Sequence, residues 1–570
     1  MHTDAHAIKR YLERLIKEYR YPTKSFRTEV PFSKGKARYM LDIVVYTKGQ
    51  PHIVVEVKEN TEDKQGIEQL RRYSGIGNQF AVLTDGFNDI CFQVSRDDSK
   101  VQLSQIRDIP NYGRSLADVG KQKYSELVSI DVQMFKVVIH RLLDELRREI
   151  GSSLEALRVL SLLVLAKVHD EKTKRGLFRA SYDEPNENIK AKILQLLESI
   201  TSQNPDLKSD LRVNSEIIAR IVWEFQKFRL SELSERHNLS LLLENGFQKL
   251  YGEFYTPRAI NQLIVGLLSP AKGKTVLDPA CGLGGLIYEA SLRGNTVVGY
   301  EISHMAAQIA QTNLLLSNLP GKVHARDSLQ KLEREDKFDY VVVVPPFSGT
   351  VRDHRLRHFK LGWSKKSQKY PDLFLELALN LANPSGRIAI VIPNGVLVSY
   401  SSRDTRLLIS RESTIKAIIK LPDTAFAPYS RVKTSLLILE KRENQKLTEQ
   451  GEVFISQIEN LNEISETIGS FLTFEASGKL QKNENTFTIR IETPEQLDVT
   501  YLEGLRSSKT LDTIETVKLG QIADITAGAS IKRVGLESED GNMLYIKAGA
   551  FLDLSIDEEK AERINVVENI

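Results

Sequence analysis

Residues 275–290 read TVLDPACGLGGLIYEA. A short apolar run leads into Asp278, then a glycine-rich turn, then an apolar helical stretch. The order predicts strand, turn, helix, with Gly282, Gly284 and Gly285 letting backbone approach a ligand closely. On either side, residues 251–441 alternate short apolar strands with amphipathic segments. The strands include NTVVGYEI (295–302), FDYVVVVPP (338–346), RIAIVIP (387–393) and SLLILEK (435–441). This rhythm predicts an α/β, doubly wound parallel sheet of Rossmann-like outline. DPACGLGG departs from GxGxxG, which argues against a dinucleotide pyrophosphate site. Acids at the strand ends suggest another ligand: Asp278 suits a cationic amino-acid group, Glu301 in GYEIS suits ribose hydroxyls, and Asp327 in HARDSL suits an adenine amino group. GKT at 273–275 has Leu268 where a phosphate-binding loop needs glycine, so no ATP motor is encoded there.

The chain has 570 residues, too many for one core, so about three to four domains are expected. A net charge of +3 permits a nucleic-acid partner without arguing for one. Two distant cysteines, Cys91 and Cys281, give neither a disulfide framework nor metal spacing, which fits a reducing prokaryotic cytoplasm. The first ten residues have no apolar signal core, and no apolar run approaches the ~18 residues of a membrane span.

Rhythm changes mark expected boundaries. Residues 1–115 mix helix and strand, 116–250 are helical in pattern apart from a polar loop at FRASYDEPNENIK (178–190), and 251–445 carry the α/β pattern. Residues 446–516 turn polar and read as a linker or peripheral layer. A short-stranded piece occupies 517–570.

In the first segment RYMLDIVVYTKG and PHIVVEVKEN read as a hairpin. Pairing brings Asp42 beside Glu56, and Lys58 projects from the same face as Glu56. Two such carboxylates can hold Mg2+, with Lys58 balancing charge that grows at a phosphate. Glu13, on the preceding helix, is a candidate third metal ligand with Asp42 and Glu56. Gln69 and Tyr73 follow one turn apart on a helix. This stretch, over roughly residues 10–100, resembles the PD-(D/E)xK nucleases, in particular the N-terminal domain of type I restriction R subunits. The resemblance implies Mg2+-dependent cleavage by Asp42, Glu56, Lys58, Gln69 and Tyr73. An inert surface ion pair is the alternative reading of Asp-to-Glu-x-Lys.

Residues 130–441 resemble the adenine-N6 DNA methylase subunits of type I restriction-modification systems and the fused type IIG enzymes. The matching text is YGEFYTPRAI, VLDPACGLGG, VPPF, YPDLFLELALNLANPSGRIAIVIPNGVL and IIKLPDTAFAPYSRVKTSLLILEK, in that order. The resemblance implies S-adenosylmethionine bound by Tyr255, Thr256, Asp278, Ala280, Gly282, Gly284, Glu301 and Asp327. It also implies an adenine, extruded from double-stranded DNA, gripped at Val344, Pro345, Pro346 and Phe347. In the family the residue before Pro-Pro is Asn or Asp, whose oxygen accepts the N6 hydrogens. Val344 has no acceptor, so methyl transfer is expected to be weak or lost. The cofactor would then order a DNA-binding conformation, or a separate methylase would protect the host, or the pocket would read methylation.

VKLGQIADITAGASIKRVGLES (517–538) resembles the start of a type I specificity-subunit recognition domain. Such a domain would be half complete by Ile570, so a specificity subunit or a second copy would finish it; a small dimerisation module is the alternative. Lys532, Arg533 and Lys547 are candidate phosphate contacts. The combined expectation is a restriction-type DNA endonuclease acting in antiviral defence, with a methylase-like module impaired in transfer. The rivals are a working bifunctional restriction-modification enzyme and a non-catalytic DNA-binding subunit.

Overall fold

A computed structural model describes residues 5–34, 37–61, 63–97, 100–121, 123–236, 256–330, 336–428, 430–443, 451–480, 485–491, 494, 496–509, 543–545 and 562–564. The chain divides into two compact units, Met1–Leu505 and Arg506–Ile570.

The first unit opens with α1 (Ala5–Lys17), β1 (Phe26–Lys34), β2 (Ala37–Thr47), β3 (Gln50–Val57), α2 (Lys64–Tyr73), β4 (Phe80–Thr84), β5 (Asp89–Asp97) and β6 (Lys100–Ile106). The six strands lie in chain order in one sheet. Only β3 and β4 run parallel, and α2 makes the crossover between them. Lys48 and Gly49 turn the β2–β3 hairpin with φ of 51° and 79°, the left-handed pair that matches strand twist. The helices cover opposite faces. Ala7, Tyr11 and Leu15 of α1 pack on Ile43, Val45, Ile53 and Val55. Leu70 and Tyr73 of α2 pack on Val44, Val54 and Leu83.

A helical layer follows: α3 (Val132–Ile150), α4 (Ser153–Thr173), α5 (Asn186–Thr201), α6 (Ser215–Phe225) and α7 (Leu230–Arg236). Helix α4 is buried on every side from Ala156 through Val168, as its unbroken apolar run requires. The loop expected at 178–190 ends earlier. Helix α5 starts at Asn186, because Ile189, Ile193, Leu196 and Leu197 bury one helical face.

Charge ties the first sheet to this layer. Lys227 reaches Glu18 at 3.2 Å, and Arg14 bonds both Glu18 at 3.1 Å and Asp89 at 2.7 Å. Burial pulls the Lys227 ammonium down, but Glu18 and Asp108 overcome it and hold its pKa above the usual value. The layer shares its core with the next sheet: Ala306, Ile309 and Leu316 of the helix His304–Leu316 join the α3–α7 cluster.

That next sheet has nine strands: β7 (Thr275–Asp278), β8 (Thr296–Glu301), β9 (Gly321–Ala325), β10 (Phe338–Val343), β13 (Ala382–Pro393), β14 (Ser413–Lys420), β15 (Thr434–Lys441), β16 (Glu452–Gln457) and β17 (Thr486–Arg490). A two-stranded ladder, β11 (Thr350–Val351) with β12 (Gln368–Lys369), stands apart from it. The order is β17-β16-β14-β15-β13-β10-β7-β8-β9. Two expectations are corrected here. The sheet is mixed rather than parallel, because β15 runs antiparallel between β13 and β14. The described residues of the 421–433 link form no helix to carry a parallel crossover, so the chain turns back beside itself. Residues 446–516 are not merely a linker: they supply β16 and β17, and Phe471 on the helix Ile464–Ser477 packs at 5.3 Å from Phe454. EVFISQ and TFTIR are short apolar runs inside polar sequence, which hid them.

No helix among the described residues is long and apolar enough to cross a membrane. In the second unit β18 (Met543–Tyr545) pairs antiparallel with β19 (Glu562–Ile564). Lys532, Arg533, Lys547 and most of the 517–570 reading lie outside the described residues.

Candidate functional site

Four strands of the large sheet end at one cavity of about 540 Å³. Asp278 is the last residue of β7, Glu301 the last of β8, Asp327 lies two past β9, and Val344 one past β10. The carboxyl ends of such strands are where open α/β sheets hold ligands. Thr256, Ala280, Gly282, Pro345, Pro346 and Phe347 also line the cavity. Tyr255 lies outside the described residues.

Asp278 is 2% exposed, and its Oδ1 accepts a hydrogen bond from the Ala280 amide at 2.9 Å. Burial pushes its carboxyl up to about 8, with Glu301 adding to the rise. An acid held so far above its usual range favours a cation beside it. Glu301 accepts from the Gly282 amide at 3.0 Å and the Ser303 amide at 2.8 Å. Burial still leaves its carboxyl above the ordinary value. The glycine turn is therefore locked to the second strand end by the acid expected to meet ribose. Gly284 does not line the cavity. Its φ of 90° and the 2.9 Å that a Cβ would leave to Ala310 Cβ make it a packing glycine.

Asp327 is already engaged: Oδ2 accepts from Arg355 Nη1 at 2.8 Å and Oδ1 from the Leu329 amide at 3.0 Å. Arg355 lies 28 residues on and was not predicted. Phe347 meets Phe426 edge-to-face at 4.9 Å, and Val344 packs in the same apolar cluster. Phe426 stands in LPDTAFAPYS, a stretch whose family likeness was visible while its contact was not.

The second constellation lies on the first sheet. Asp42 and Glu56 neighbour one another across β2 and β3. Asp42 Oδ2 accepts from the Val57 amide at 2.8 Å. Glu56 is 3% exposed and bonds Lys58 Nζ at 2.7 Å through Oε1. Its Oε2 is buried with no hydrogen-bond partner, and so is Gln69 Oε1. Burial, then Asp42, pushes the Glu56 carboxyl up to about 7 despite Lys58. Burial and then both acids raise the Tyr73 hydroxyl, so Tyr73 faces the pair. An orphaned buried oxygen within a like-charged acid pair fits a divalent cation.

Glu13 does not join them. It is exposed and pairs with Lys17 at 3.4 Å, on a helix that packs against the other sheet face. Among the described residues no three His, Cys, Asp or Glu side chains converge as a metal site. Gly66 was also missed. A Cβ there would stand 2.8 Å from Leu83 Cδ1 and 3.3 Å from Lys58 Cγ, so glycine lets the start of α2 sit close against the strand end.

These two sites sit within two family matches: N-6 DNA Methylase over residues 243–513, and Type I restriction enzyme R protein N terminus over residues 7–110. The larger domain is thus an adenine-N6 DNA methyltransferase-like domain. The chain joins an N-6 DNA methylase domain to a type I R-protein N-terminal domain. It is 28% identical over 258 residues to the type I restriction enzyme EcoEI methylase subunit of Escherichia coli, covering 41% of this chain and 52% of that subunit. It is 27% identical over 345 residues to the MjaIX methylase subunit of Methanocaldococcus jannaschii, covering 56% and 59%. The chain thus spans little more than half the length of these relatives. A chain of a type I R-M system superposes with a TM-score of 0.51 at 19% identity, covering 65% of this chain and 94% of its own length. The modification subunit of a type I restriction enzyme from Vibrio vulnificus YJ016 gives 0.50 at 19%, covering 65% and 96%.

Proposed function

We propose that the chain is a restriction-type DNA endonuclease whose methylase-like domain binds S-adenosylmethionine and double-stranded adenine sites but transfers methyl groups poorly. The observation that carries the cleavage reading is the buried, unpartnered Glu56 oxygen beside Asp42 and Lys58. A bound Mg2+ supplies Lewis acidity at the scissile phosphate and lowers the pKa of attacking water. The chain's own part is to hold the acids and the base-side cation. The Val57 amide fixes Asp42, and Lys58 keeps Glu56 oriented while its ammonium stabilises charge that develops on phosphate. Gln69 offers an oxygen to the same pocket, and Tyr73 closes it from water.

In the larger cavity S-adenosylmethionine supplies the methyl group. Asp278 receives its ammonium, Glu301 its ribose, and Arg355 must release or share Asp327 for adenine to bond there. Phe347 offers a stacking face to an extruded base. Val344 offers no acceptor, leaving backbone carbonyls for the exocyclic amine. Loss of one such oriented contact costs about 3 kcal/mol, roughly a hundredfold in rate. The apolar wall of Val344, Phe347 and Phe426 also supports a second reading, in which the cavity admits an already methylated adenine. A specificity subunit or second copy completes target recognition, and defence against foreign DNA is the setting.

The test is plasmid cleavage with Mg2+, with and without S-adenosylmethionine, using the full chain and Lys58→Ala. Methyl incorporation from tritiated cofactor is scored in the same tubes. Cuts by the full chain, lost in the variant, with little tritium on DNA, support the reading. Uncut plasmid under every condition, or tritium transfer at rates of intact methylases, refutes its respective half.

A further inference from the structure

Immediately after the adenine-gripping turn, residues 350–369 leave the sheet and return, closed at their base by the β11–β12 ladder. The excursion reads TVRDHRLRHFKLGWSKKSQK and holds seven Lys and Arg against a single Asp. Its net positive charge exceeds the +3 of the entire chain, so the rest of the molecule is net acidic. The segment is not a floppy tail. Leu356, Phe359 and Leu361 are buried in the core of the large sheet, and Glu376 accepts from the Lys360 and Leu361 amides at 2.6 and 2.8 Å.

This anchoring sorts its cations. Arg355 turns inward to Asp327 at the cavity wall. Lys360 pairs with Glu412, and Lys365 pairs with Asp404 at 3.1 Å. Arg352, Arg357 and Lys366 are exposed and form no ion pair among the described residues. Beside them Trp363 is 69% exposed. The adjoining segment, tied on by Lys365 to Asp404 and Lys369 to Ser401 at 3.3 Å, shows Tyr400 at 89% exposure. A rigid rim of free cations with bare aromatic rings has the chemistry of a nucleic-acid backbone contact.

We propose that the 350–369 excursion clamps the DNA backbone beside the extruded adenine, through Arg352, Arg357 and Lys366, with Trp363 stacking on a base. The assignment rests on the adenine-binding reading of the cavity. It follows from one loop whose inner edge lines that cavity and whose outer edge carries the charge.

The experiment measures anisotropy of a fluorescein-labelled, mixed-sequence DNA duplex with the full chain, without divalent ions, from about 50 to 200 mM salt. Three lost phosphate contacts make the slope of log affinity against log salt shallower by about 2.7. The Arg352→Ala/Arg357→Ala/Lys366→Ala variant is expected to show that change. Trp363→Ala is expected to weaken binding at every salt with the slope kept. A matched control in the helical layer, Lys172→Ala/Lys208→Ala/Arg212→Ala, is expected to keep the original slope. A slope unchanged in the first variant, or equally reduced in the control, overturns the clamp while leaving the cavity reading intact. No duplex binding by the unaltered chain overturns both.

Discussion

Replacing Glu56 by Gln should stabilise the protein while abolishing cleavage, and the gain should grow with pH. In the unfolded chain a glutamate titrates near 4.5; in the fold burial and Asp42 raise Glu56 to about 7. A carboxyl raised on folding contributes stability at low pH and loses it as pH climbs from 4.5 through 7. Integrating between pH 5 and pH 8 gives a loss of about 2.5 kcal/mol from this one group. Lys58, bonded at 2.7 Å, opposes burial and Asp42 and keeps the rise from being larger. Glutamine is nearly isosteric and does not titrate, so the variant lacks this slope. The assay is urea denaturation of the unaltered chain and Glu56→Gln at pH 5, 6, 7 and 8 in chelator, following the transition of the first sheet. The difference between the two should widen by about 2.5 kcal/mol over that range. Mg2+ at pH 8 should then stabilise the unaltered chain and not the variant. A difference that stays flat from pH 5 to 8 would show that Glu56 is not held protonated by its surroundings, and the metal-site argument would fall with it.

Further expectations concern the other elements of the two sites. Val344→Asn restores an acceptor at the end of β10, and tritium transfer to adenine should rise about a hundredfold; no rise would mean that the backbone carbonyls already suffice or that the cavity does not take adenine. Asp278, raised to about 8, must ionise to receive an ammonium, so S-adenosylmethionine affinity should increase up to roughly fiftyfold between pH 6 and pH 8 by calorimetry. Asp278→Asn should flatten that dependence, and a flat profile in the unaltered chain would remove the assigned role. Gly66→Ala drives a methyl against buried Leu83 and should cost about 1–3 kcal/mol while lifting Gln69 and Tyr73 from the acid pair, read as lower stability together with slower cleavage.

Sequence alone reached the strand-end acids, because each stands where an apolar run stops and the chain must emerge at the sheet's carboxyl edge. The hairpin acids were equally accessible: period-two alternation and a two-residue turn set which residues face each other. Glu13 failed because helix periodicity identifies a face, not the side of the sheet on which the helix lies. Gly284 failed for a related reason: a glycine that approaches Ala310 and one that approaches a ligand look alike in sequence. Arg355 and Phe426 lie far along the chain from their partners Asp327 and Phe347, and no local pattern encodes such meetings. Strands β16 and β17 were missed because each is short and flanked by polar residues, so burial became visible only where β16 lies beside β14 and β17 beside β16.

The Lys227–Glu18 contact bears on how such chains diversify. An N-terminal cassette grafted from a distant relative would bring its own surface to a socket that holds a buried ammonium. Without anions at the positions of Glu18 and Asp108, that ammonium would lose the main charges that offset its burial, a penalty of about 3–5 kcal/mol. Exchange of the N-terminal domain between lineages therefore requires both sides of this plug to travel or mutate together.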